Sequence, residues 1–297
     1  MKVAAVDLGT NTTRLLVADV TEGRIEELHR ETRITRLGEG VDARGRLLPV
    51  PIARVRNVLS DYRRTLEALG AERTLAVATS AVRDAENGEA FLGEVEWSYG
   101  FVTQLVTGDE EAQLTRRGVD PGPGTLVLDI GGGSTELILD DFHVSLPMGS
   151  VRFTERYDED VERCAAEARA LLPDLSPAAA VGVAGTVTTL AALDLRLEQY
   201  DRERVHGHRL TRAGAREQLD RLSGMSVAER RGLPAMEPER APVIVAGAAI
   251  LLAVLDAYAL DAIEVSEHDL LDGIALAAAE LPAPVEGDAP PGAYTCC

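Results

Sequence analysis

The apolar pattern of this chain runs through one order of elements and then repeats it. Apolar stretches at 2–7, 13–20 and 24–32 predict three strands, the first two joined by the polar turn Gly9-Thr10-Asn11-Thr12. Ile52, Val55, Leu59, Leu66 and Leu69 fall at helical spacing and predict a helix over 50–69, stopped by Gly70. A buried strand at 74–78 leads through Thr79-Ser80 into a helix. A strand at 102–106 leads through Thr107-Gly108-Asp109 into another, beginning at Glu110. The breaker run Asp120-Pro121-Gly122-Pro123-Gly124 marks the expected domain junction.

Beyond that run the order returns. Strands are predicted at 125–129, 136–139 and 142–146, a helix at 159–172, and a strand at 181–184 that meets Gly185-Thr186-Val187-Thr188 and a helix. Residues 202–242 read as an insertion with its own helices. An Ala/Leu-rich helix at 243–258 precedes a strand at 262–265, and a last helix at 269–281 is placed to pack back across the junction. The two hairpins also match residue by residue. Asp7 pairs with Asp129, Gly9 with Gly131, Thr12 with Ser134 and Thr13 with Thr135, at a constant offset of 122 residues. A repeat this long implies a duplicated α/β fold rather than a solenoid. The expected layout is domain I at 1–120, completed by 269–281, domain II at 121–268 with the insertion, a flexible tail at 282–297, and a cleft between the domains.

Bulk composition narrows the class. With 45% hydrophobic and 27% charged residues, the 297-residue chain is an ordinary globular protein. No apolar run is long enough to cross a bilayer, and the start lacks a signal-peptide pattern, so a cytoplasmic setting is expected. The net charge of −19 argues against generic nucleic-acid binding. It is uneven: residues 1–120 carry 16 basic and 20 acidic groups, and 121–297 carry 14 and 29. Three cysteines form no disulfide framework; Cys164 reads as core, and Cys296 and Cys297 as incidental. His206 and His208 lack a third ligand and are not expected to hold metal.

The candidate chemistry sits in the turns. Asp7 and Asp129 each end a strand before a Gly/Thr/Ser turn whose amides can form an anion-binding concavity. Gly9, Thr10, Asn11 and Thr12 make the first turn; Gly131, Gly132, Gly133, Ser134 and Thr135 make the second. Gly185 and Thr186, at a helix N-terminus, offer a third anion site. Asp129 and Glu136 lie across one hairpin turn and are the best pair of Mg²⁺ ligands, with Asp7 as the pseudo-symmetric third. Arg83 and Arg14 can neutralise phosphate. Asp109 and Glu110 suit a helix start, where acids complement the macrodipole. Glu111 is the candidate general base that would deprotonate a water for attack on phosphorus. His268 either lines the cleft or caps a helix.

The blocks DLGTNTTRLL, ATSAVRDAENG, VTGDEEAQL, LDIGGGSTEL, VAGTVTTLA and ERAPVIVAGAAIL, in that order, resemble the exopolyphosphatase/guanosine pentaphosphate phosphatase (Ppx/GppA) family. The resemblance implies the actin-like ATPase (ribonuclease H-like) fold in its short two-domain form. It implies Mg²⁺-dependent hydrolysis of the terminal phosphoanhydride of inorganic polyphosphate or, as an alternative, of guanosine pentaphosphate. It carries Glu111 over as catalytic base, Asp129, Gly131 and Glu136 as metal and phosphate groups, and Arg83 as a phosphate ligand; members are often homodimers. The chain departs from the family at Leu270-Leu271-Asp272-Gly273, where Leu-Arg-Glu-Gly is usual, leaving one possible substrate contact unassigned. It also lacks the C-terminal helical region of long members, so short polyphosphate chains are the expected substrate. Two other classes stay open: a non-catalytic polyphosphate or nucleotide sensor, and a small-molecule kinase of the same superfamily. Against a kinase, DLGTNT lacks the Gly-Gly-Thr form of small sugar kinases.

Overall fold

The computed structural model describes residues 1–282, so Cys296, Cys297 and all but the first residue of the expected tail lie outside the described residues. The chain divides into two compact units. The first is Met1–Val119 together with the described residues from Leu270 onward; the second is Asp120–Asp269.

The first unit holds β1 (Lys2–Leu8), β2 (Thr12–Thr21), β3 (Arg24–Ile34), α1 (Val41–Arg44), α2 (Pro49–Leu69), β4 (Arg73–Ala78), α3 (Ser80–Arg83), α4 (Gly88–Tyr99), β5 (Val102–Leu105) and α5 (Gly108–Val119). Its sheet runs β3-β2-β1-β4-β5, with β1 antiparallel to β2 and parallel to β4. Alternate residues of β1 enter different cores. Ala4, Val6 and Leu8 pack with Val55, Leu59 and Phe91 of α2 and α4, while Val3 and Ala5 pack with Leu270, Leu271 and Ile274. Burial on both faces is why β1 reads as an unbroken apolar run.

The second unit continues with β6 (Thr125–Ile130), β7 (Thr135–Leu139), β8 (Phe142–Leu146), α6 (Ser150–Tyr157), α7 (Val161–Leu171), β9 (Ala179–Val183), α8 (Ala184–Asp194), α9 (Arg202–Val205), β10 (Arg209–Thr211), α10 (Arg212–Ser223), α11 (Val227–Arg231), α12 (Ile244–Ala257) and β11 (Ala262–Val265). The sheet runs β10-β11-β9-β6-β7-β8. Apart from β10 it repeats the first: two antiparallel hairpin pairings, then two parallel neighbours. Both sheets thus have the duplicated ribonuclease H-like order.

Helix α13 (Leu270–Glu280) belongs to the first unit and packs on α5, β1, β2 and β4. A side chain at Gly273 would reach within 1.9 Å of Leu114 O, so glycine lets the two helix backbones touch. Leu271, where the family usually has arginine, is fully buried in this core. The neighbouring Asp272, 1% exposed, is paired with Arg30 at 2.9 Å.

Two stretches differ from the apolar pattern. Helix α6 is an extra element: it follows the breaker pair Pro147 and Gly149, and its Val151 and Phe153 are buried. The insertion is not helical throughout. It supplies edge strand β10, antiparallel to β11, and then α10, which packs on α12 and α8.

Candidate active site

Parallel neighbours bring distant turns to one edge of each sheet. Leu8 of β1 is in register with Ala78 of β4, and Ala78 with Leu105 of β5. The Gly9 turn, the Thr79–Arg83 turn and the start of α5 therefore emerge side by side. In open α/β sheets this carboxyl edge is where ligands bind. In the second unit Asp129 is in register with Val183, and Gly182 with Val265. That groups the Gly131 turn, the Ala184-Gly185-Thr186 turn and the Ser266 turn.

Both hairpin turns are built alike. Gly9 N donates to Thr12 O at 2.9 Å, and Gly131 N to Ser134 O at 3.0 Å. The next chain segment then takes the turn carbonyls. Gly38 N donates to Thr10 O, while Thr35 N and Arg36 N donate to Asn11 O. In the second unit Ser150 N donates to Gly131 O, Val151 N and Arg152 N to Gly132 O, and Arg152 Nε to Gly133 O at 2.6 Å. The amides of Thr10, Asn11, Gly132 and Gly133 have no acceptor among the described residues. Buried amides need partners, and a turn pinned by its carbonyls presents its N–H groups as an anion cradle. Asn11 Nδ2, also buried, has no hydrogen-bond partner either. The close fit depends on glycine at 149, where a side chain would come within 2.4 Å of Gly132 O.

Register partners differ between the two copies. Asp7 faces Arg14 across β1 and β2, and Arg14 Nε donates to Asp7 Oδ2 at 2.8 Å. The equivalent Asp129 faces Glu136 across β6 and β7, at 6% and 1% exposure, with Ser145 Oγ donating to Glu136 Oε1. Cross-strand partners point to the same face. Two buried carboxylates side by side repel each other, and a shared cation relieves that repulsion. Among the described residues no three His, Cys, Asp or Glu side chains converge on a metal position. The donor set fits Mg²⁺, which takes one or two carboxylates and completes its shell with water and substrate phosphates.

Helix α5 separates its three N-terminal acids. Glu110 closes a capping box: Thr107 N and Oγ1 donate to its Oε2 at 2.8 and 2.9 Å, and Glu110 N donates to Thr107 Oγ1. The backbone N–H and then the hydroxyl of Thr107 hold its carboxyl below the usual range. Glu111 turns inward and is 6% exposed. Arg83 Nη1 donates to Glu111 Oε2 at 3.1 Å and to Val106 O at 2.9 Å. Arg83 therefore touches the candidate base directly.

At the third turn, Thr186 Oγ1 donates to Ile130 O, tying α8 to the hairpin strand β6. Arg240 packs on Gly185, its guanidinium filling the space a side chain there would occupy. Its Nη2 donates to Glu237 Oε2 at 3.0 Å. Arg240, Ser150 and Arg152 escape a residue-pattern reading; the Pro147-Met148-Gly149-Ser150 helix-start signal is the only local trace of the last two. The neighbouring histidines contact the backbone and one another. His206 Nδ1 accepts from Glu267 N, the His206 and His268 rings meet edge to face at 5.3 Å, and His268 N donates to Ser266 Oγ. His208 pairs with Asp194 at 2.8 Å. Cys164 is buried, and burial pushes its thiol up to about 11.

The sequence profile of the Ppx/GppA phosphatase family matches residues 16–280. The chain belongs to the Ppx/GppA phosphatase family. Exopolyphosphatase 2 of Mycobacterium tuberculosis is 40% identical, over 94% of this chain and 98% of that protein. The crystal structure of the Aquifex aeolicus Ppx/GppA family member superposes with a TM-score of 0.78 at 32% identity, covering 93% of this chain and 97% of that one. An exopolyphosphatase structure from Cytophaga hutchinsonii has a TM-score of 0.86 at 24% identity, covers 96% and 100% of the two chains, and shares the fold. No helix among the described residues is long and apolar enough to cross a membrane.

Proposed function

We propose that this Ppx/GppA chain is an exopolyphosphatase, hydrolysing the terminal phosphoanhydride of short inorganic polyphosphate to orthophosphate. The observation that carries the reading is the pair of hairpin turns with fixed carbonyls and uncommitted amides. Such fixed dipoles stabilise phosphoryl charge without reorganising during transfer. The 40% identity to an exopolyphosphatase over nearly the full length of both chains supports the same substrate.

In this reading the amides of Thr10, Asn11, Gly132 and Gly133 and the Asn11 side chain bind phosphate oxygens. Glu111 takes a proton from water as the water oxygen bonds to the terminal phosphorus. The bond from that phosphorus to its bridging oxygen breaks, and the shortened chain leaves with the electron pair. Arg83 positions the Glu111 carboxylate. Asp129 and Glu136 would hold Mg²⁺, which supplies positive charge against the phosphate oxygens when bound. Phosphate release from short polyphosphate, long polyphosphate and guanosine pentaphosphate, each with and without Mg²⁺, tests the proposal. Fastest Mg²⁺-dependent turnover of short polyphosphate is expected. Preference for the nucleotide would move the chain to the alternative activity, and binding without release would make it a sensor.

A further inference from the structure

A basic cavity lies in the first unit, away from the hairpin turn. A cavity of about 600 Å³ is lined by Arg44, Arg46, Leu48, Pro49, Ile52 and Asn87, among others. That volume lies within the range of small-molecule sites. Its wall is fixed. Asn87 clamps the backbone of Leu47 from both sides, accepting from Leu47 N at 2.8 Å and donating to Leu47 O at 3.1 Å. Glu86 N donates to Gly45 O at 2.9 Å, and Gly45 takes the left-handed conformation at φ 64° that ends α1.

Two of the three arginines at this wall have no ion pair among the described residues. In α2, Arg54, Arg56, Arg63 and Arg64 are each ion-paired, Arg56 to Glu94, so the cavity's third arginine is neutralised. The guanidiniums of Arg44 and Arg46 form no ion pair or hydrogen bond among the described residues. The start of α2 beside them has no acidic residue in its first turn and no side-chain cap. The helix dipole therefore adds to the positive potential. Two free guanidiniums in a chain of net charge −19 favour a phosphate. The apolar surface of Leu48, Pro49 and Ile52 has no use for inorganic phosphate and suits a flat organic body.

We propose that this cavity binds a phosphorylated organic molecule of mononucleotide size, with its phosphate on Arg44 and Arg46 and its ring on Leu48, Pro49 and Ile52. The site is independent of the hydrolase reading. Isothermal titration calorimetry on the full chain, using adenosine 5′-monophosphate, adenosine and inorganic phosphate, tests it beside the Arg44→Gln/Arg46→Gln double variant. Both arginines are exposed, so the variant keeps the fold. The monophosphate should bind the wild type, with adenosine and phosphate each weaker by about tenfold or more. The double variant should lose about tenfold or more in affinity, since both charge-assisted contacts to the phosphate are removed. Polyphosphate hydrolysis should be unchanged. Absence of monophosphate binding, equal affinity for phosphate alone, or undiminished binding in the double variant would overturn the proposal. The last result would locate the nucleotide at the hairpin turns instead.

Discussion

Arg83 Nη1 sits 3.1 Å from Glu111 Oε2 and uses the same nitrogen to hold Val106 O at 2.9 Å. One guanidinium thus ties the end of strand β5 to the first turn of α5. It fixes the direction of a carboxylate whose side chain is 8% exposed.

Glu111→Gln keeps the shape of the side chain and its capacity to accept from Arg83, but removes the base. Phosphate release should fall by about 10²–10⁴-fold, the usual worth of a positioned general base, with an unchanged circular dichroism spectrum. Near-wild-type turnover would remove Glu111 from the reaction.

Arg83→Gln should lower kcat more than it raises KM, because the carboxylate loses its fixed direction while the hairpin amides remain. The KM-against-kcat split checks this. A change confined to KM would make Arg83 a simple phosphate ligand.

Glu136→Gln removes one of two adjacent buried carboxylates. The Mg²⁺ concentration for half-maximal activity should rise by roughly tenfold or more, within the range for disturbed metal sites. Asp7→Asn should move it much less, because Asp7 is engaged by Arg14 at 2.8 Å. Equal shifts in both variants would contradict the assignment of metal to the second copy alone.

Stability should decline at alkaline pH. Burial raises the Tyr62 phenol above its ordinary value of 10, and burial followed by Asp174 raises Tyr258 to about 12. In the unfolded chain both ionise near 10. The native state therefore retains protons that the unfolded state has lost. The contribution of these two phenols is complete below pH 10 and falls as pH rises toward about 12. Urea midpoints across this window measure the slope. Tyr62→Phe should reduce the slope. At neutral pH it should cost about 1 kcal/mol, through the lost bond from Tyr62 Oη to Thr13 O.

Arg230 is 2% exposed and uses all five donors: on Leu222 O, Met225 O, Ala241 O and both oxygens of Glu159. Arg230→Ala should destabilise the protein by about 3–5 kcal/mol in urea unfolding, because Glu159 and three carbonyls lose their partner. A loss below about 1 kcal/mol, the level of a surface pair, would show that the clamp is not holding the insertion.

Local periodicity and the 122-residue offset between Asp7 and Asp129 made the duplicated fold legible, because strands buried on both faces leave unbroken apolar runs and a repeated turn needs repeated small residues. The same offset links Arg14 with Glu136, a change of sign that sets an acid–base pair in one copy against two carboxylates in the other. Helix α6 and strand β10 were not legible, since a short helix and a three-residue strand carry too few apolar positions to set a period.

By itself the sequence determined the order of elements, the two hairpin turns and the chemical types standing in them. Tertiary structure alone decided which backbone groups are spent. The carbonyls of Thr10, Asn11, Gly132 and Gly133 are taken by segments that follow their hairpins in the chain, and their amides are left over. It also brought Arg83 to Glu111 from 28 residues away and laid Arg240 on Gly185. Hydrogen-bond partners of this kind are fixed by packing between elements, and no local pattern of apolar and polar residues encodes them.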